Sequence, residues 1–152
     1  MLKILIHIMT NQIFVAASVS WILAQMIKMI VYYRQYHRLN FRLLVGTGGM
    51  PSAHSAFVSG MACMVGFKDG WSSSIFVLAL CLALLIMSDA AGVRRAVGRQ
   101  AVVLNHLADE VYAGKGLQTE RLRELLGHTP LQVFAGAFLG ILMACGLMAL
   151  AK

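Results

Sequence analysis

From Pro130 to Ala151 the chain reads "PLQVFAGAFLGILMACGLMALA", with no charged side chain anywhere in the run. A helix of about 20 such residues crosses the hydrocarbon core of a bilayer, and in lipid a helix satisfies its own backbone polar groups. Three further apolar runs precede it. Residues 13–33 are long enough to span and end in the Tyr32–Tyr33 pair suited to a membrane interface. Residues 51–67 are short for a span, and residues 73–89 are almost purely aliphatic. With 59% hydrophobic and 12% charged residues in 152, a soluble domain would lack the polar surface to cover itself. The expected fold is an all-α integral membrane helical bundle of about four transmembrane helices, forming a single membrane-embedded domain over residues 1–152. Lys3 is followed by a short apolar run that "TNQ" interrupts, with no small-residue cleavage site, so the first long helix itself serves for insertion.

The stretch between the third and fourth runs is polar but patterned. Val93, Val97, Ala101, Leu104, Ala108 and Val111 recur at helical spacing, which predicts an amphipathic helix lying along the interface. "AGKG" ends it, and a short helix is expected from Thr119 to Gly127. Arg34, Arg38 and Arg42 follow the first span, and Arg94, Arg95, Arg99, Lys115, Arg121 and Arg123 follow the third. The turn between the second and third carries only Lys68 and Asp69. The positive-inside rule then makes the basic side cytoplasmic and explains the net charge of +7 without a nucleic-acid partner. Cys63, Cys81 and Cys145 lie inside apolar runs with no paired spacing, as reduced packing residues do.

This topology collects the unusual polar residues at one membrane face. Lys28 lies near the end of the first span, "MPSAHSA" opens the second, Asp89 closes the third and "GHTPLQV" opens the fourth. Pro51 and Pro130 suit the first turn of a helix, so two helix N-termini can point at one anion, with phosphate the obvious choice. Lys28 shares a helical face with Ser18, Trp21, Gln25 and Tyr32, which turns it into the bundle; the alternative is an ammonium snorkelling to the interface. His128, Gln132, Gly136, Gly140 and Ala144 follow at intervals of four, and Ser52, Ala56 and Gly60 form a matching small-residue stripe. Packing the two stripes together brings His54 toward His128. Two histidines beside an anion site suit metal-free phosphoryl transfer, one as nucleophile and one as acid and then base. His7, His37 and His106 belong to no such constellation.

"PSAHSA" and "HTPLQVFAG" resemble the P-S-G-H and H-x-x-x-D-V-x-x-G motifs of the type 2 phosphatidic acid phosphatase and vanadium haloperoxidase superfamily. With "DAAGVRRAVGRQAVVLN" between them, the pattern is more similar still to its small divergent branch of YuiD-like membrane proteins, over roughly Lys28 to Gly140. The resemblance implies that His128 forms a phosphohistidine, that His54 protonates the leaving alcohol, and that Ser52 and Lys28 hold the phosphate oxygens. It implies no metal and no cofactor for hydrolysis. The sequence departs from the superfamily pattern in having Ala53 between serine and histidine, Leu122 where an arginine is expected, and Gln132 in place of the aspartate that orients the nucleophile. Asp89 is the nearby candidate for the missing carboxylate, and Arg94 and Arg95 for the missing phosphate-binding arginines, their alternative role being topology and headgroup contact. Gln132 also completes a T-x-x-Q capping box with Thr129.

Two functions follow: a lipid phosphate phosphatase acting at the cytoplasmic face, or a non-catalytic membrane protein that binds or transports a lipid phosphate. The expected partners are that lipid and the surrounding membrane lipids. The small-residue stripes serve packing within one chain or between the two copies of a homodimer. The expected location is a bacterial inner membrane.

Overall fold

The computed structural model describes residues 1–39, 49–112, 122 and 127–151, with the side chains of residues 94, 95, 111 and 112 outside that set. Six helices follow one another: α1 Leu2–Thr10, α2 Gln12–Tyr36, α3 Ala53–Asp69, α4 Ser74–Ala91, α5 Val93–Tyr112 and α6 Pro130–Leu150. No strand occurs among the described residues. Of these helices, α2, α6 and the run from α4 into α5 are long and apolar enough to cross a membrane. The second predicted span, α3, has 17 residues, which at 1.5 Å each is about 26 Å, just short of the roughly 30 Å hydrocarbon thickness.

Local chemistry sets the helix starts. The Asn11 side chain accepts the Ile13 amide at 2.8 Å, which separates α1 from α2. The "TNQ" interruption is therefore a cap between two helices, and α1 was not foreseen as a helix from its short apolar run. Ser73 Oγ accepts the Phe76 amide at 3.1 Å and donates to the Gly70 carbonyl at 2.8 Å, closing the α3–α4 turn. Trp71 in that turn meets Phe67 and Phe76 edge-on, with both ring centroids at 5.1 Å.

The central helix is α3, which packs against α2, α4 and α6. That position explains its composition of Ala, Ser, Gly and Cys, because a helix surrounded by others needs small residues for close approach, whereas the outer helices meet lipid with long apolar chains. Leu78 on α4 is 70% exposed and Phe134 on α6 is 68% exposed, while Ala79, Ala83, Gly136, Gly140 and Ala144 of the same helices face inward. Such an inverted pattern is what lipid, as an apolar solvent, permits.

The tightest contact is between α3 and α6, along the two predicted stripes. A Cβ on Gly140 would lie 2.6 Å from Ser59 Oγ and 2.7 Å from the Gly60 nitrogen, and one on Gly136 would meet the Ser52 carbonyl. Ser59 Oγ donates across this seam to the Ala137 carbonyl at 3.1 Å.

Helix α5 follows α4 with only Gly92 between them and forms the predicted amphipathic segment. Its apolar positions Val93, Val97, Val103, Leu104 and Leu107 are exposed, and Gly98, Ala101 and Asn105 form the inward face. The short helix predicted at 119–127 lies outside the described residues apart from Leu122 and Gly127.

Candidate functional site

Two main-chain hydrogen bonds join the ends of three helices where α3 and α6 begin. The Ser52 amide donates to the Gln132 carbonyl at 3.0 Å, and the His128 amide donates to the Ala90 carbonyl at 2.9 Å. The N-terminus of α3, the N-terminus of α6 and the last turn of α4 are thereby fixed side by side. Ser52, Asp89 and the segment from His128 to Gln132, separated by dozens of positions in sequence, share this end of the bundle.

Ser52 is the N-cap of α3 and is fully buried. Its Oγ accepts the Ser55 amide at 3.4 Å and the Ser55 hydroxyl at 3.0 Å. Pro51 stands one residue before the cap, joined to Met50 by a cis peptide, and not in the first helical turn as expected from sequence. Pro130 does occupy the first turn of α6.

His128, 3% exposed, immediately precedes the α6 cap. Gln132 Oε1 accepts the Thr129 amide at 3.1 Å while Thr129 Oγ1 accepts the Gln132 amide at 3.4 Å, a complete capping box. The same Oε1 lies 3.2 Å from His128 Nδ1. The cap and the histidine contact, two alternative roles in the sequence, are thus performed by one oxygen. Because that oxygen can only accept, Nδ1 must carry the proton, which leaves the imidazole lone pair on Nε2. A neutral amide fixes the tautomer as a carboxylate would, without a negative charge to stabilise an imidazolium.

Lys28 is 4% exposed, on the inward face of α2. Its companions are Ala16, Ala17, Ser20, Ala24 and Gln25, whereas Trp21 is exposed and Ser18 and Tyr32 are half-buried. Inward orientation was anticipated; of the residues expected beside it, only Gln25 is buried with it. The small residues won because Ser20 must pass Gly60, where an added Cβ would lie 2.6 Å from Ser20 Oγ. The lysine stem runs past Gly49, whose φ of +81° suits glycine and where a Cβ would sit 3.1 Å from both Cγ and Cδ. Lys28 makes no hydrogen bond or ion pair with another described residue, and its buried side chain stands beside the loop that leads into Ser52.

His54 lies in the first turn of α3 but is exposed, and it lines an apolar groove with Trp21, Leu82 and Ile86 rather than the α3–α6 seam. Asp89 is half-buried in the last turn of α4, next to the carbonyl that holds the His128 amide. Arg94 and Arg95 fall in the first turn of α5, and their predicted contacts rest on side chains outside the described set.

One polar residue escaped notice in the sequence. Asn105, buried on α5, donates from Nδ2 to the Leu122 carbonyl at 2.9 Å and accepts the Leu122 amide on Oδ1 at 3.0 Å. This pair of bonds secures Leu122, six residues before His128, to α5. An asparagine within "VVLNHL", among exposed apolar positions, is the signal that could have shown it.

The sequence profile of the divergent PAP2 family matches residues 9–143, nearly the whole bundle and every candidate residue. The chain belongs to the divergent PAP2 family. A relative, the uncharacterized membrane protein YuiD of Bacillus subtilis (strain 168), is 36% identical over 148 residues, covering 90% of this chain and 94% of its own. No solved structure matches the chain. This divergent PAP2 chain is accordingly a membrane protein with transmembrane helices.

Proposed function

We propose that the protein binds the phosphate of a phosphorylated membrane lipid between the N-termini of α3 and α6 and hydrolyses it through a phosphohistidine on His128. The observation that carries this reading is Lys28. Removing an ammonium from water costs several kcal/mol unless an anion compensates, and a membrane-embedded lysine with no acidic partner among the described residues is best accounted for by an anionic ligand. The Ser52 hydroxyl and the positive ends of two helices favour the same anion.

In this mechanism Nε2 of His128 attacks phosphorus as the bond to the lipid oxygen breaks. Protonated His54 gives its proton to that oxygen, releasing an alcohol. Neutral His54 then takes a proton from water, whose oxygen attacks phosphorus and breaks the P–N bond, freeing phosphate and restoring both rings. Asp89 is proposed to stabilise the charge that Gln132 cannot. The basic segments after the first and third apolar runs support a site on the cytoplasmic face of a bacterial inner membrane.

Gln132 favours a second reading: with an amide where the superfamily has a carboxylate, the pocket binds or moves a lipid phosphate without cleaving it. Purified protein in detergent, presented with phosphatidate and with a prenyl phosphate, separates the two. Phosphate release that disappears in His128→Ala supports the enzyme, and binding without release supports the carrier. Lys28→Met is expected to abolish binding of inorganic phosphate while raising the melting temperature of the ligand-free protein, because it removes an uncompensated buried charge. Unchanged phosphate binding in Lys28→Met would remove the basis of both readings.

A further inference from the structure

The groove that contains His54 has a shape and polarity of its own. It encloses about 360 Å³ between α2, α3 and α4, lined by Trp21, Val58, Met61, Leu82 and Ile86 in addition to His54. From His54 to Met61 it follows α3 for seven residues, about 10 Å, away from the phosphate end and toward the middle of the membrane. His54 is the polar residue of this lining and lies at its phosphate end. His54 faces the groove, whereas the Ser52 amide two residues earlier faces Gln132 on α6.

We infer that this groove seats one alkyl chain of the phosphorylated substrate, an inference that rests on the phosphate reading given above. The occupant follows from charge complementarity: apolar walls end at His54 in the first turn of α3, where the positive end of the helix lies, which suits an amphiphile with an alkyl chain and an anionic head. Seating a chain already dissolved in lipid yields no transfer free energy, because lipid tails are as apolar as leucine. The groove therefore acts on orientation. The oxygen that joins chain to phosphorus comes to rest on the His54 side of α3, and the opposite side of the phosphorus is turned toward α6 and His128. This is the arrangement an in-line displacement needs, and it selects substrates whose chain leaves through this groove.

Protein in phosphatidylcholine vesicles, given a trace of monoalkyl phosphate with a mid-chain diazirine, tests the assignment after irradiation and peptide mapping. The control probe is the matching alcohol. The phosphate probe is expected to label Met61, Leu82 or Ile86 several-fold more than the alcohol does, and Leu82→Trp, at an exposed position outside the buried core, is expected to suppress that labelling several-fold. Inorganic phosphate binding, measured on wild type and Leu82→Trp, reports the head-group site separately and shows that the variant is folded. Equal labelling by both probes, or phosphate-probe labelling centred on the outward residues Leu78 and Phe134, overturns the groove assignment while retained phosphate binding leaves the head-group site standing. Failure of wild type to bind inorganic phosphate overturns the phosphate reading and the groove assignment with it.

Discussion

Replacing Gly140 by alanine tests whether the α3–α6 seam sets both the fold and the site. The new Cβ would lie 2.6 Å from Ser59 Oγ and 2.7 Å from the Gly60 nitrogen, and closer still to the Ala56 carbonyl, whereas ordinary contact begins at 3.4 Å. Most of these neighbours are backbone atoms at the centre of the bundle, so relief requires the helices to part by roughly 1 Å, which forfeits a large share of the dispersion attraction along the seam. Overpacking of this kind costs about 1–3 kcal/mol. Parting also stretches the Ser59 to Ala137 bond at 3.1 Å and the Ser52 to Gln132 bond at 3.0 Å, each contributing about 1 kcal/mol. The expected destabilisation is about 3–5 kcal/mol in all. Gly146, on the same helix with nothing within 4 Å of its added Cβ, is the control; alanine there is expected to stabilise by about 0.5–1 kcal/mol through helix propensity. Unfolding of the two variants by added denaturing detergent, followed by circular dichroism, measures the difference. Equal midpoints for Gly140→Ala and Gly146→Ala would refute the close seam and the alignment of Ser52 with Gln132 that depends on it.

Gln132→Leu removes the acceptor shared by Thr129 and His128, so it is expected to cost about 1 kcal/mol of stability as a lost cap and to abolish phosphate release. Gln132→Glu keeps the length and supplies the carboxylate, so turnover is expected to rise in a release assay; a fall would show that the amide is the better partner for His128 in this site. Asn105→Ala unbinds both main-chain groups of Leu122, expected to cost about 1–3 kcal/mol and to speed amide exchange at Leu122 in a hydrogen-exchange measurement, with α2 unaffected. Lys28→Met is expected to raise the melting temperature and lose phosphate binding together, and separation of the two effects would show that the lysine serves packing alone.

The helices themselves were legible in the sequence because lipid obliges a backbone to satisfy its own hydrogen bonds, so long uncharged runs leave little choice. Asn11, Ser73 and Thr129 bound them by side-chain bonds to amides two or three residues away, a local chemistry that sequence also carries. The stripes Ser52–Ala56–Gly60 and Gly136–Gly140 were readable for a similar reason: small residues every fourth position have no use on a lipid-facing surface, but they let two backbones meet. The exposed apolar face of α5 shows where this reasoning stops. In water, apolar periodicity marks the inner face of a helix, but here Val93, Val97 and Leu104 of the predicted stripe are exposed and only Ala101 of it is buried, so the inward Gly98 and Asn105 had to come from the structure.

The site divides along the same line. Sequence alone determined that a lysine, a serine, two histidines and a glutamine reach one end of a helical bundle, because strand-free topology and span order fix which helix ends are neighbours. Tertiary packing decided that His54 faces an apolar groove while His128 is enclosed on α6, that Lys28 lies among alanines and Ser20, and that one Gln132 oxygen serves both the helix cap and the histidine. These outcomes depend on the rotation of each helix about its own axis. In lipid that rotation is set by which backbones can touch, since burying apolar side chains there yields no free energy that would choose a face.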